Sequence, residues 1–329
     1  MRPGGFCRAF APATIGNLAA GFDVLGVSLA PVDSTLWGDI VTIRVPRTPR
    51  RADRFTVTGP HANAVPSRTT ENLVMIARRL FNQELRRRQL PTTGLELCLE
   101  KCLPVCSGLG SSASSVVAAL MALNTIHESP LPTPTLLELA GRAEGHVSGS
   151  IHLDNVAPSM LGGIQLLVPG TNNVLQPVPL PWFSHWYLTV VHPDLQVPTA
   201  LARQVLPPAF SRAAAVDYWS NLAGLVHALH TGNESLAARC LRDPLIEPHR
   251  QSLVKGFDRV KREALAAGAL GFSLSGSGPS VFAVTESLSR AEELLDRMQQ
   301  AFQRARVTSQ GHVCRPDNHG ARIIESDYS

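Results

Sequence analysis

Residues 104–115 read Pro-Val-Cys-Ser-Gly-Leu-Gly-Ser-Ser-Ala-Ser-Ser, a stretch that concentrates groups suited to holding a phosphate. Gly108 and Gly110 allow the backbone to come close to a ligand, and Ser111 and Ser112 add hydroxyls where a phosphate or its metal would lie. The segment 113–124 that follows is almost continuously apolar. It is too long for most strands and too short to span a membrane, so a buried helix is predicted there. The free N–H groups and dipole at the start of that helix favour an anion. The loop is therefore predicted to be a phosphate cradle. A plain N-cap needs one serine and leaves the two glycines without a purpose. A P-loop is excluded, because no Gly-Lys-Ser/Thr occurs in the chain. Gly108, Gly110 and Ala113 also fit the G-x-G-x-x-A fingerprint of dinucleotide sites. There the glycines follow the strand directly, whereas Leu103 to Ser107 intervene here, and a proline-rich stretch stands where the next strand would begin.

Other groups capable of chemistry are scattered along the chain. Asn17 and Asp23 are the polar side chains of any reach within residues 11–23, which fits either a ligand-facing loop or a simple turn. Glu144, His152, Asp154 and Asn155 fall within twelve residues and tilt that polar cluster toward function. His152 and Asp154 suggest zinc, but no third His or Cys ligand lies close by. Cys98, Cys102 and Cys106 have metal-like spacing, but no His is near and they divide between a strand and a loop. Arg203, one helical turn after Thr199, and Arg250, after Glu247-Pro248-His249, stand where an anion could be held. Taken singly, each also suits an ordinary surface. Residues 275–279, Ser-Gly-Ser-Gly-Pro, form a second glycine turn, for which a tight hairpin is the plain alternative.

Regular elements must position these groups. Leu95, Leu97 and Leu99 alternate with Glu96, Cys98 and Glu100, which predicts a half-buried strand feeding the cradle. Strands are predicted at 41–45 and 55–57, and a helix at 71–87 with Leu73, Ile76, Ala77, Leu80 and Leu85 inward. Thr133 and Pro134 read as N-cap and N1 of a further helix, or Thr135 and Glu138 as a capping box. That helix puts Glu144 on the same apolar face as Leu137 and Ala140. A strand follows at 164–168. Pro, Asn and Gly then gather at 169–181, which divides the chain into units 1–170 and 171–329. Beyond the boundary come a strand at 186–192, helices, strands at 271–274 and 281–284, a helix at 288–305 and a strand at 312–315. That βαββαβ order is ferredoxin-like.

Composition narrows the class. With 329 residues, 44% hydrophobic and 17% charged, the chain has ample core for one large domain or two. Its net charge is +4, too thinly spread to argue for nucleic acid, and Arg86-Arg87-Arg88 reads as the solvated end of a helix. Six Cys in this length do not make a disulfide framework. The first residues show no secretory signal, and no apolar run reaches the ~18 residues of a membrane span. A reduced, cytoplasmic protein without membrane or nucleic-acid partners is expected.

Three motifs in order resemble the GHMP kinases: Asn17 to Asp23, Pro104 to Ala113, and Gly276 to Pro279. Gly21-Phe22-Asp23-Val24-Leu25-Gly26, residues 149–158, Pro198-Thr199-Ala200 with Arg203, and Glu247-Pro248 with Arg250 are similar to the homoserine kinase branch of that family. Thr14-Ile15-Gly16 and Ala19-Ala20 depart from its usual first motif and leave Asn17 and Asp23 in place. The resemblance implies an α+β, two-domain fold, with an N-terminal α+β domain containing a left-handed βαβ crossover and a C-terminal ferredoxin-like domain. It implies ATP held by Pro104, Val105, Cys106, Ser107, Gly108, Leu109, Gly110, Ser111, Ser112, Ala113 and Ser114. It also implies Mg2+ on Ser112 and Glu144, and L-homoserine lined by Asn17, Asp23, His152, Asp154, Thr199, Arg203, Arg250 and Gly276. A homodimer is left open. A mevalonate kinase cousin carries an Asp base where this chain has Asn155, and an amide cannot take a proton. Asp154 and Asn155 are therefore expected to orient the acceptor without acting as a general base.

Overall fold

The computed structural model describes residues 2–66, 68–148, 151–170 and 175–328. Strand β1 (Phe6–Pro12) buries Cys7, Ala9 and Ala11 completely. β2 (Thr14–Gly16) and β3 (Leu25–Pro31) flank a tight connection in which Asn17, Leu18 and Ala19 all take left-handed backbone. β4 (Gly38–Arg44) and β5 (Arg54–Thr58) follow, and helix α1 (Leu73–Arg87) crosses to β6 (Glu96–Glu100). Asn72 caps α1 by accepting from Val74 N at 3.0 Å, and Ile76, Ala77, Leu80 and Leu85 face inward as predicted. β5 and β6 run parallel, so β5–α1–β6 is the crossover unit.

Helix α2 (Ser111–Ile126) is buried along almost its whole length, packed between the β1 and β4 strands and helices α1 and α3 (Thr133–Ser148). The all-round apolar sequence of 113–124 follows from that position. Leu136 N donates to Pro132 O at 3.2 Å, so α3 starts one residue earlier than the Thr133 cap implies. The helix also takes in residues 145–148 of the polar cluster. Gly149 and Ser150 of that cluster, and 171–174 of the predicted boundary, lie outside the described residues. α4 (Val156–Leu161), β7 (Ile164–Pro169) and β8 (Leu175–Leu180) come next.

The remaining elements are β9 (Tyr187–Pro193), α5 (Thr199–Gln204), α6 (Arg212–Thr231), α7 (Glu234–Cys240) and α8 (Glu247–Arg250). After them run α9 (Phe257–Ala266), β10 (Gly271–Leu274), β11 (Val281–Thr285), α10 (Leu288–Arg304), β12 (Ser309–Pro316) and β13 (Arg322–Asp327). The strand order β10-β11-β9-β12, antiparallel throughout, is the ferredoxin-like arrangement predicted from the element order. The fold is α+β. Two connections join its halves: β13 returns to pair with β1 in the sheet β13-β1-β4-β6-β5, and β12 pairs with β3, which continues the second sheet through β7 and β8.

Candidate active site

The cradle sits at the N-terminus of α2. Gly110 is the N-cap with φ 61, and Gly110 O accepts from Ser114 N at 2.8 Å. The N–H groups of Ser111, Ser112 and Ala113 therefore have no intrahelical acceptor and are the natural anion donors. The side chains divide differently from the sequence-based expectation. Ser111 was expected to face a phosphate, but its buried hydroxyl donates to Leu103 O at 3.2 Å. Ser114 Oγ donates to Ala11 O (2.7 Å) and accepts from Asp39 N (2.8 Å), Ser107 Oγ accepts from Leu109 N (3.3 Å), and Leu109 and Ala113 are core residues. Ser112 is the serine free of such duties; its hydroxyl donates to Glu144 Oε2 at 2.8 Å.

The two glycines are required by the protein itself. A Cβ on Gly108 would lie 2.3 Å from Ser275 O, and one on Gly110 would lie 1.9 Å from Thr14 Oγ1. Both contacts are far inside van der Waals range, so only glycine fits where the loop is clamped. The clamp is extensive: Ser275 Oγ donates to Gly108 O (2.6 Å), Ser280 N to Ser107 O (3.1 Å), Val197 N to Cys106 O (3.1 Å) and Thr14 N to Leu109 O (3.0 Å). Pro104, Val105 and Cys106 form the more exposed outer part of the loop.

A charged pair beneath the loop escaped the sequence reading. Lys101 Nζ contacts Asp39 Oδ2 and donates to Ser111 O (2.8 Å) and Ser115 Oγ (3.1 Å). Asp39 Oδ1 accepts from Cys102 N (2.9 Å) and Leu103 N (3.0 Å). Both residues are buried. Lys101 is one of three lysines in the chain and directly follows the predicted strand, a signal that could have marked it.

Beside the cradle the other motifs meet. Thr14 Oγ1 donates to Asn155 Oδ1 (2.8 Å), and Asn155 Nδ2 donates to Asp154 Oδ2 (3.1 Å), so Thr14 orients the amide. Asn17 Oδ1 accepts from Asp23 N (3.0 Å), and Asn17 Nδ2 donates to Gly276 O (3.1 Å). Arg250, buried, donates from Nη1 to the same carbonyl (3.1 Å) and from Nε to Ala202 O (2.8 Å). Arg203 grips Asp23 with two nitrogens at 2.8 and 3.2 Å, and its Nη2 lies 3.2 Å from His152 Nδ1. Thr199 opens α5 with an exposed side chain, one turn before Arg203. Asn17, Asp23, His152, Arg203, Arg250 and Gly276 are thus linked by direct contacts, and Asp154, joined to Thr14 through Asn155, lies within electrostatic reach of Asp23, Arg203 and Glu144.

Burial tunes the acids. Glu144 is pushed up to about 7 by burial, against the opposing effect of the Ser112 hydrogen bond. Asp154 is pushed up to about 7 by burial and by the negative charge of Asp23. Burial lowers His152, which keeps its ring neutral and leaves Nδ1 able to accept from Arg203. The two raised acids set a sign for stability. Between their ordinary values and about 7, the folded protein holds protons that the unfolded chain has released. Their stabilising contribution is thus complete below the ordinary carboxylate range and is lost as pH rises through about 7. His127 and His192, lowered to about 4 by burial, oppose this trend only below the ordinary histidine value of 6.5. Without ligands, the melting temperature is expected to fall from pH 6.5 to about pH 7.5 and then level off, since above that both acids are ionised in the folded and the unfolded state. The double variant Glu144→Gln, Asp154→Asn should flatten that slope in a thermal-shift series; an unchanged slope would refute the burial of these charges.

Comparison with known proteins agrees with this arrangement. The model for the GHMP kinases N terminal domain matches residues 72–163, and that for the GHMP kinases C terminal domain matches 225–304. Homoserine kinase from Cytophaga hutchinsonii ATCC 33406 is similar with a TM-score of 0.88 and 36% identity over 97% of each chain. A putative homoserine kinase from Listeria monocytogenes gives a TM-score of 0.68 at 23% identity, covering 97% of this chain and 99% of that one. Mevalonate kinase from L. major, solved in complex with R-mevalonate, shares the fold with a TM-score of 0.66 at 17% identity, over 93% of this chain and 95% of that one.

Proposed function

Because the chain belongs to the GHMP kinase family, we propose that it transfers the γ-phosphoryl group of ATP to the side-chain hydroxyl of L-homoserine, giving O-phospho-L-homoserine. The observation that carries the choice of acceptor is the charge pattern around Asn17 and Gly276. Two arginines, Arg203 and Arg250, stand beside Asp23 and Asp154, which suits a zwitterionic amino acid whose carboxylate and ammonium are gripped separately. The 36% identity to a homoserine kinase supports the same substrate. In this reading the protein serves threonine biosynthesis in the cytoplasm. Units 1–170 and 171–329 divide the work, the first holding ATP and the second supplying the arginines. Among the described residues no helix is long and apolar enough to cross a membrane.

Mg2+ fits the donor set. Ser112 and Glu144 bring one hydroxyl and one carboxyl together at 2.8 Å, and Mg2+ is commonly held by so few protein groups together with substrate phosphates. Burial raises the proton affinity of Glu144, and a cation placed beside it would favour the ionised carboxylate. When bound there, Mg2+ would neutralise charge developing on the phosphate oxygens. The α2 N-terminus donates to the phosphates, and the arginines fix the acceptor so that its hydroxyl oxygen faces the γ-phosphorus. That oxygen forms the new P–O bond as the bond to ADP breaks. Asp154 and Asn155 orient the ammonium and hydroxyl. The hydroxyl proton leaves late, as a loose transition state permits, passing to an oxygen of the transferred phosphoryl group or to solvent without a dedicated base.

The test compares L-homoserine with 3-aminopropan-1-ol, which lacks only the carboxylate. Arg203→Lys and Arg250→Lys should each raise KM for L-homoserine about 10- to 100-fold, since lysine cannot reproduce the planar fork. Neither variant should change KM for ATP or the use of 3-aminopropan-1-ol. If KM for ATP rose in step, the arginines would belong to the nucleotide site and the proposed acceptor would lose its support.

A further inference from the structure

Phe22 lies in the left-handed connection between β2 and β3, and its ring meets both arginines. Arg250 Cζ is 5.1 Å and Arg203 Cζ 5.5 Å from the ring centroid, each within the ~6 Å over which an aromatic face attracts a cation. Both guanidinium groups lie against the same ring, and the positive charge of Arg203 acts against that of Arg250. Arg203 is compensated by Asp23. Arg250 contacts the carbonyls of Ala202 and Gly276, and among the described residues no carboxylate stands within ion-pair distance of it. A carboxylate in place of the ring would hold the arginines together but would occupy their N–H donors. An aromatic face attracts both cations without taking further N–H donors, so Arg250 Nη2, which has no hydrogen-bond partner among the described residues, stays available to an incoming anion.

The placement of the ring is built into the backbone. Phe22 N donates to the Tyr218 hydroxyl at 2.5 Å, reaching across from α6. On either side, Gly21 N donates to Asn17 O (2.8 Å) and Asp23 N to Asn17 Oδ1 (3.0 Å). A Cβ on Gly21 would lie 2.2 Å from the Leu25 Cβ, so the approach to Phe22 admits only glycine. Position 22 is therefore held at three successive residues.

We propose that Phe22 is a positioning residue for acceptor choice: its ring holds Arg203 and Arg250 side by side as one carboxylate-binding fork. The inference rests on the homoserine reading and deepens it. Without the ring, both arginines remain but their mutual repulsion spreads the fork, so the carboxylate is bound less well. The chemistry at the hydroxyl is untouched.

The experiment measures steady-state ADP release with L-homoserine and with 3-aminopropan-1-ol for wild type, Phe22→Leu and Phe22→Tyr. Phe22→Leu should raise KM for L-homoserine on the order of 10-fold, with kcat, KM for ATP and the kinetics of 3-aminopropan-1-ol unchanged. Phe22→Tyr keeps the aromatic face and should stay within about twofold of wild type. Phe22→Met replaces the leucine variant if that protein does not fold. The inference is overturned if the non-aromatic variant leaves KM for L-homoserine unchanged, impairs both acceptors equally, or is matched by the tyrosine variant. A wild type that shows no preference for the carboxylate overturns the homoserine reading and this inference with it. A wild type that has the preference, beside a leucine variant that retains it in full, overturns this inference alone.

Discussion

Glu144→Gln is expected to lower turnover by about 100-fold or more while leaving the melting temperature close to that of wild type. The glutamine keeps a group able to accept from the Ser112 hydroxyl, so the 2.8 Å contact and the local packing survive. Stability is spared for a second reason. Burial pushes the Glu144 carboxyl up to about 7, so its charge already costs the ligand-free fold something, and a neutral amide removes that cost. Catalysis has no such relief. The carboxylate would hold Mg2+ against the triphosphate, where the cation would neutralise charge developing in the transition state, and a neutral amide would hold the metal more weakly. Turnover from coupled ADP release, set beside a thermal melt of the same preparation, checks both halves. Near-normal turnover would remove Glu144 from the metal site.

Lys101→Met should have the largest effect on folding. It leaves Asp39 fully buried and charged, with its Oδ2 facing, among the described residues, Ser115 Oγ alone at 2.5 Å. Removing one partner of a buried pair typically destabilises by about 3–5 kcal/mol. The double variant Lys101→Met, Asp39→Leu removes both charges and should recover much of that loss. It should not recover nucleotide affinity, because Asp39 Oδ1 also holds Cys102 N and Leu103 N, the backbone that leads into the cradle. Denaturant midpoints and ATP titrations of the two variants separate these effects. A Lys101→Met midpoint equal to that of wild type would show that the pair contributes nothing.

What the chain revealed in sequence was local. The alternation of Leu95, Leu97 and Leu99, the glycine-serine loop and the apolar run behind it follow directly from side-chain periodicity, and the structure has them as β6, cradle and α2. The α1 face and the βαββαβ order were legible for the same reason. Long-range pairing was not. That β13 returns to β1, with Phe6 opposite Asp327, and that Cys314 of β12 pairs with Pro31 of β3, depends on partners hundreds of residues apart. The short strand β2 and the longer β3 were lost because the small residues around Asn17 carry no clear period. In the site itself, residue types identified the participants, but the division of labour needed coordinates. Ser111 and Ser112 are adjacent serines, yet one hydroxyl serves Leu103 O and the other serves Glu144. Thr14 looked like a departure from the first motif and is the residue that orients Asn155.

The identity of the phosphorylated product is the most direct test of the proposed activity. The protein is incubated with MgATP and L-homoserine, and the mixture is followed by phosphorus NMR with mass spectrometry of the product. The expected result is ADP and an equal amount of a single phosphate monoester on the side-chain oxygen of homoserine, with no inorganic phosphate beyond the background. Inorganic phosphate alone, a phosphate on the carboxyl group, or an unchanged ATP signal beside rapid phosphorylation of a different alcohol would contradict the assignment.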